Sequence, residues 1–408
     1  MLTDRGRWIL AIGGGTYLAA WAFGAIPLYP VALGLVLAVG AAALWVRYLE
    51  RPMTLLRSLG REEHYAGDDI PIRLEVQTDG VVPSGSLVVL EKITRLGVRE
   101  TPIGRRHGRL RGSYVLEKVP RGRYPIESAR IVAEDPFGLE RAEMSLPLGE
   151  SLLVYPRLVD LDALFSESGA SALEGRRLLL RRPSGFDFHS VREYEQGESL
   201  RRVHWPTTAK RGQLMVKELE DAPRDEVAVL LDADGSAVVG LPPETSFELQ
   251  VQAAGSILKA HAVRGRRAAL VVNSASRTHQ RVHSYDGDWH RALELLAGVE
   301  PDGYAAVSAL LADEAGTAAR ALDLAVVTAK LTPRLADRLL QRALTHHGAS
   351  VVYVDASSFA PESMTRMPPD IAAQILRLER GGVPVAVLRR GDDLAAKLGP
   401  RVLGAAVG

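Results

Sequence analysis

Three patterns of apolar and polar positions follow one another along the chain. From Trp8 to Val46 no charged residue occurs, a run well beyond the roughly 20 residues that one helix needs to cross a bilayer. Pro27-Leu-Tyr-Pro30 is a turn signal within it, so the pattern predicts two membrane spans, at about 8 to 26 and 29 to 46. Between 62 and 156, short apolar runs are punctuated by turn residues: Ile70 to Val76, Ser86 to Ile93, Tyr114 to Glu117, Ala129 to Val132 and Leu152 to Tyr155. Strands at that spacing predict a small antiparallel sandwich, immunoglobulin-like in layout. From Glu226 onward, near-continuous apolar strands alternate with amphipathic helices. Strands are expected at 226–232, 268–273, 280–285, 323–328, 350–355 and 384–388, with helices at 245–263, 288–299, 303–320, 333–346, 369–380 and from Asp392. A sheet whose strands are apolar throughout is covered on both faces, which predicts an α/β doubly wound domain.

The organisation that follows is a transmembrane hairpin (1–50), a β-sandwich-like module (51–157), a linker with a polar segment (158–224) and an α/β domain (225–408). Arg5 and Arg7 precede the hairpin and Arg47, Arg51 and Arg57 follow it, so the positive-inside rule puts both flanks, and the bulk of the chain, in the cytoplasm of a cell bounded by that inner membrane. A cleaved signal peptide shares the basic start and apolar run, but the second apolar segment argues against it. Gly13-Gly-Gly15-Thr16 is no phosphate loop, since no Gly-Lys-Ser/Thr follows; small residues there let two helices approach closely.

A formal net charge of +1 argues against a generally cationic nucleic-acid binder, and no nucleic-acid partner is expected. The absence of cysteine removes disulfides and thiolate chemistry. Bases gather at Arg105, Arg106, Arg109 and Arg111, either a charged hairpin edge that resists pairing or a face for anionic lipid. No Gly-x-Ser-x-Gly elbow, His-Glu-x-x-His, Walker loop or dinucleotide Gly-x-Gly-x-x-Gly occurs. His204 is read as a hydrogen-bonded structural histidine beside Trp205.

The densest text is Pro183 to Glu220. Six acids meet six bases there, a balance that favours internal pairing over capture of a charged ligand. Strands are expected on either side of a turn at Gln196-Gly197-Glu198, with Pro206 ending one and Gln213 to Lys217 starting another. The words Gly185-Phe-Asp-Phe, Val191-Arg-Glu-Tyr, Gly197-Glu-Ser-Leu-Arg-Arg-Val-His-Trp205 and Leu214-Met-Val-Lys217 resemble the signature of the domain-of-unknown-function 58 family. Arg121-Gly-Arg-Tyr124 and Asp135-Pro-Phe-Gly-Leu139 look like its β module.

The resemblance implies a membrane-anchored bacterial protein with a von Willebrand factor A-like domain. Its implied partners are a MoxR-type AAA+ ATPase, client proteins and the lipid bilayer, and its implied process is assembly or remodelling of the cell envelope. In such a sheet ligands sit beyond the carboxyl ends of the strands, which points to Asp232-Ala-Asp-Gly-Ser236. The metal-binding version of the fold resembles Asp-x-Ser-x-Ser at that place, with a Thr and a second Asp supplying further oxygens to Mg²⁺. Here Asp234 stands where the first Ser belongs, and the fourth strand is followed by Lys330 without the carboxylate. The expectation is a degenerate site of Asp232, Asp234 and Ser236 in which Lys330 balances charge and no cofactor is needed, Mg²⁺ binding being the alternative. Asp187, Arg192, Tyr194, Gly197, Arg201, His204, Trp205 and Lys210 are expected to clamp the β module to the α/β domain. The reading is therefore a non-enzymatic, membrane-tethered adaptor, against which stand a carboxylate- or metal-dependent hydrolase and a purely architectural envelope protein.

Overall fold

The computed structural model describes residues 1–61, 63–78, 87–147, 151–167, 188–193, 203–219, 227–313, 316–345, 347–360 and 367–400. The chain divides into two compact units, Met1–Arg157 and Leu158–Gly408.

The first unit opens with two helices, α1 (Asp4–Phe23) and α2 (Leu28–Leu49), joined at Gly24, whose φ of +67° is left-handed and needs no Cβ. They run antiparallel, with Tyr17 edge-on to Tyr29 at 5.5 Å and Gly13 against the Ala32 to Val36 turn. A Cβ on Gly13 would stand 3.2 Å from both Leu35 and Val36, so of the three consecutive glycines this one lets the helices touch; Gly14 and Gly15 face open space. Among the described residues, α2 alone is long and apolar enough to cross a membrane. The expected first span falls short because Asp4, Arg5 and Arg7 lie inside α1 and Gly13 to Thr16 dilute its apolar content.

Among the described residues nine strands follow: β1 (Met53–Ser58), β2 (His64–Tyr65), β3 (Ile70–Thr78), β4 (Leu87–Ile93), β5 (Gly97–Arg106), β6 (Arg109–Leu116), β7 (Gly122–Glu134), β8 (Arg141–Ser145) and β9 (Ser151–Tyr155). They form one hydrogen-bonded path, β1-β3-β6-β5-β4-β7-β9-β2, with β8 on β7. Two long strands fold it over. β5 pairs with β4 through Ile103 and then with β6 from Gly104, while β7 pairs first with β9 and then with β4. Alternate residues of β3 and β4, among them Ile70, Ile72, Leu74, Leu87 and Val89, line the enclosed core. Glu91 is buried in it and is held by Arg57 and by the Tyr114 hydroxyl at 2.8 Å. The pattern reading missed β1, β2, β5 and β8, and β5 because its polar alternation puts most of its side chains in solvent.

In the second unit, β10 (Phe188–Glu193) and β11 (Met215–Leu219) form an antiparallel pair, with α3 (Trp205–Arg211) before β11. Val203 to Trp205 is thus not a strand that Pro206 ends. The proline sits in the first turn of a helix, where its missing N–H costs nothing. Residues 158–167, expected as a linker crossing the surface, instead bury Leu161, Leu164 and Phe165 in the core of this unit. The backbone N–H of Val159 donates to Ser256 at 3.0 Å, and Arg264 pairs with Glu167 at 2.7 Å.

The main sheet contains β12 (Val227–Leu231), β15 (Ala268–Val272), β16 (His279–Val282), β17 (Asp323–Thr328), β18 (Gly348–Val354) and β19 (Val385–Leu388); β13 (Gly240–Leu241) and β14 (Glu244–Thr245) form a small ribbon. Its order is β16-β15-β12-β17-β18-β19, parallel except for the edge strand β16. The residues of β12 alternate between two cores. Val227, Val229 and Leu231 face one that includes α4 (Ser246–Val263), and Ala228 and Leu230 face one that includes α8 (Pro333–Leu344) and Leu378 of α9 (Pro369–Arg380). Helices therefore cover both faces, as the apolar strands predict. Beyond α5 (Tyr285–Gly298), the single helix expected at 303–320 is two short ones, α6 (Val307–Leu310) and α7 (Thr317–Arg320). It cannot begin at Gly303, which is occupied in a β-bridge to Asp234. A last short helix, α10 (Leu394–Leu398), closes the described unit.

Because Phe165 is 2% exposed within the α/β core, Phe165→Ala should destabilise that unit by about 3–5 kcal/mol. Denaturant unfolding of the full chain checks this, and a change near zero would mean that residues 158–167 do not anchor there.

Candidate functional site

The order of the sheet reverses between β15-β12 and β17, so the carboxyl ends of β12 and β17 flank a switch point, the place where open α/β sheets form their crevice. Asp232 follows β12 directly and is 5% exposed. Three groups donate to its carboxylate: the Thr328 hydroxyl to Oδ2 at 2.7 Å, the Asn273 amide to Oδ1 at 3.1 Å, and the Asp234 backbone N–H to Oδ1 at 3.2 Å. Thr328 ends β17 and Asn273 follows β15, so one carboxylate ties together three strand ends. Asn273 also donates to the carbonyl of Ala305 at 2.6 Å, and Thr328 accepts from the Lys330 N–H at 2.8 Å.

The next loop is fastened as tightly. Gly303 donates to the Ala233 carbonyl at 2.8 Å, and a Cβ there would lie 2.0 Å from the Asn273 carbonyl oxygen. Gly235 is equally confined, its missing Cβ 2.5 Å from the Pro301 carbonyl oxygen. Only glycine lets these backbones pass so close.

Towards solvent the charge changes hands. Asp234 Oδ1 accepts from the Ser236 N–H at 2.9 Å, a turn-closing bond, and Oδ2 accepts from the Lys330 ammonium at 2.9 Å. That ammonium also donates to the Ser236 hydroxyl at 3.1 Å. Asp232, in contrast, takes its hydrogen bonds from neutral groups. The difference appears in their acidities. Burial pushes Asp232 above the usual carboxylate range, against the bonds from Thr328 and Asn273. For Asp234 burial acts the same way but is outweighed by Ser236 and Lys330, which hold it below that range.

A divalent cation is not fitted by this donor set. The two outward oxygens that would face it, Asp234 Oδ2 and Ser236 Oγ, are both engaged by a fixed positive charge, and the Asp232 oxygens are engaged by protein donors. Asn273, Thr328 and Gly303 were not among the residues singled out from sequence. Their legible signal is position: Asn273 and Thr328 are the first polar side chains after the apolar runs of β15 and β17.

The other sequence candidates lie elsewhere. Asp187, Tyr194, Gly197 and Arg201 fall outside the described residues, and for Arg192 only the backbone, in β10, is described. His204 precedes α3, its Nδ1 2.8 Å from the Thr207 hydroxyl and its N–H donating to Met215 at 2.7 Å. Trp205 is 64% exposed, and Lys210 is exposed on the same helix.

Residues 190–357 match the family described as "Protein of unknown function DUF58". A curated relative, "Uncharacterized protein YeaD" of Bacillus subtilis, is 28% identical over 228 residues, 54% of this chain; the chain spans about half (54%) of that relative's length. Among solved structures, Cwp6 from Clostridium difficile is similar over 84% of this chain and 50% of that one, at 12% identity and a TM-score of 0.17, too low to bear on the fold.

An acid whose folded pKa is raised holds its proton longer in the folded state, so its contribution to stability falls as pH rises from the ordinary carboxylate value, near 4, to the raised one. Asp232→Asn should remove that decline. Thermal midpoints measured from pH 4 to 8 should show the variant gaining on the wild type with rising pH; a pH-independent difference would remove Asp232 as a raised acid.

Proposed function

We propose, for a chain whose residues 190–357 match the DUF58 family, a non-enzymatic adaptor, anchored in the plasma membrane by its helix pair with the large soluble part in the cytoplasm. Its α/β unit is a von Willebrand factor A-like domain, and the loops at its strand ends meet protein partners. Two observations support the fold assignment: the six-stranded order with an antiparallel third strand in sequence, and the Asp232-x-Asp234-x-Ser236 loop at the switch point.

The observation that carries the adaptor reading is the Lys330 ammonium, 2.9 Å from Asp234 and 3.1 Å from Ser236. A fixed cation there substitutes for an exchangeable one and keeps the loop in a single arrangement, which suits recognition of a protein better than polarisation of a substrate. In the same cluster the Thr328 hydroxyl donates to the Asp232 carboxylate and the Ser236 hydroxyl accepts from the Lys330 ammonium. Tyr304, 83% exposed beside Gly303, offers partners an aromatic surface on the same rim. A MoxR-type AAA+ ATPase is the partner that the family resemblance implies, with envelope proteins as clients.

Crosslinked pull-down of the full chain from bacterial membranes is expected to recover an AAA+ ATPase, and Lys330→Glu to lose it. Recovery of no ATPase by the wild type would overturn the partnership. Titration calorimetry with Mg²⁺ should give no binding heat on the wild-type chain; a saturable signal would end the charge-substitution role of Lys330.

A further inference from the structure

The register of the first unit gathers at one end of its β layers features that the adaptor reading does not use. Met53, which opens β1 four residues after α2 ends at Leu49, pairs with Thr78 of β3, and Val76 pairs with Leu110 of β6. The β5-β6 turn, closed by the Arg106 to Arg109 pair, is therefore level with the point where the chain leaves the apolar helix. It lies two strands away in the sheet order, roughly 10 Å at the usual strand spacing.

That turn is tight. His107 and Gly108 both have positive φ, +48° and +79°, so the hairpin holds its tip rigidly. Arg105, Arg106, His107 and Arg109 are all exposed there. Glu75 serves both Arg109, at 3.2 Å, and Arg111, at 2.8 Å, leaving one acid to two bases. Behind the tip an open groove of about 1120 Å³ is lined by Arg57, Arg73, Arg106, Arg109 and Arg111 together with Glu75.

The β7-β8 loop reaches the same end, because Leu87 pairs with both Ile103 and Ala133, and β5 and β7 run past it in the same direction. Asp135, buried, closes that loop by accepting from the N–H groups of Phe137, Leu139 and Glu140 at 2.9, 2.6 and 2.7 Å. The first turn of α1 rests on it: the Thr3 N–H donates to the Leu139 carbonyl at 3.0 Å, and a Cβ on Gly6 would lie 2.2 Å from the same oxygen. So firmly built a loop nevertheless leaves Phe137 76% exposed. An aromatic ring held out in the open beside an apolar helix pair suits the boundary between head groups and acyl chains.

We propose that this end of the β unit is a lipid-head-group site: Phe137 enters the interface while Arg105, Arg106 and Arg109 bind anionic phosphates of the bilayer that α2 crosses. The proposal rests on α2 lying in a membrane. Its effect is to add a head-group contact to the packing of the helix pair on the β unit, where Leu139 lies against Val39 and Ala42 of α2.

Because the chain has no cysteine, single spin labels on Leu37→Cys, Phe137→Cys and Glu117→Cys in the full chain, reconstituted in nanodiscs, report depth through the contrast between oxygen and nickel-chelate accessibility. Discs of phosphatidylcholine alone are compared with discs that also contain phosphatidylglycerol. The expected result is Leu37→Cys at hydrocarbon depth in both lipids and Glu117→Cys, at the far end of β6, in water. Phe137→Cys should shift to interfacial depth with phosphatidylglycerol and return towards water when Arg105→Gln and Arg106→Gln are added. Leu37→Cys at depth with Phe137→Cys in water in both lipids would overturn the head-group site and leave the anchor intact. Leu37→Cys in water would overturn the anchor and this site with it. A Glu117→Cys label that also moves to the interface would show the unit lying the other way and overturn the proposal.

Discussion

A carboxylate taken out of water has to be compensated, and here the compensation is distributed. Burying an ionised group without partners is far costlier than leaving a hydroxyl unpaired. Asp232 meets that demand with one donor from its own loop, one from the residue after β15 and one from the end of β17. The requirement for three donors thus dictates how the strand ends are spaced. It also fixes where the loops of the switch point must leave the sheet. The first unit answers the same problem differently, burying Glu91 against the charge of Arg57 and the phenol of Tyr114. That pair sits inside a closed core, whereas the neutral ligation of Asp232 keeps positive charge one layer out, where Lys330 faces Asp234.

The α/β unit was legible because a parallel sheet leaves so little choice. Strands buried on both faces read as apolar runs, and Asp323–Thr328 and Pro369–Arg380 stand where the pattern put them. Where the pattern failed, another force prevailed. The stretch 303–320 has helical composition, but Gly303 is committed to backbone pairing with Asp234, so the helix starts late and breaks. β5 was invisible because a strand with most side chains in solvent carries no period-two apolar signal. Pro206 was read as a terminator when it was an initiator, the two being indistinguishable until the residues after it are seen to coil.

At the candidate site, the sequence pointed to Asp232, Asp234, Ser236 and Lys330 through a single loop and one later lysine. Asn273 and Thr328 escaped notice because their relation to Asp232 spans 41 and 96 residues and exists only once the strands are ordered. A short motif shows the residues that one turn contributes. It cannot show those that a topology delivers.

The two glycines at the rim, Gly235 and Gly303, have their missing Cβ positions within 2.5 Å of neighbouring carbonyl oxygens. Backbones so close have little room to rearrange, so the rim is set before anything arrives. A visiting protein would give up little loop entropy on contact. Were a protein partner to dock there, as proposed, a preset rim would discriminate by fit, and the strength of the contact would be governed chiefly by how slowly the visitor leaves.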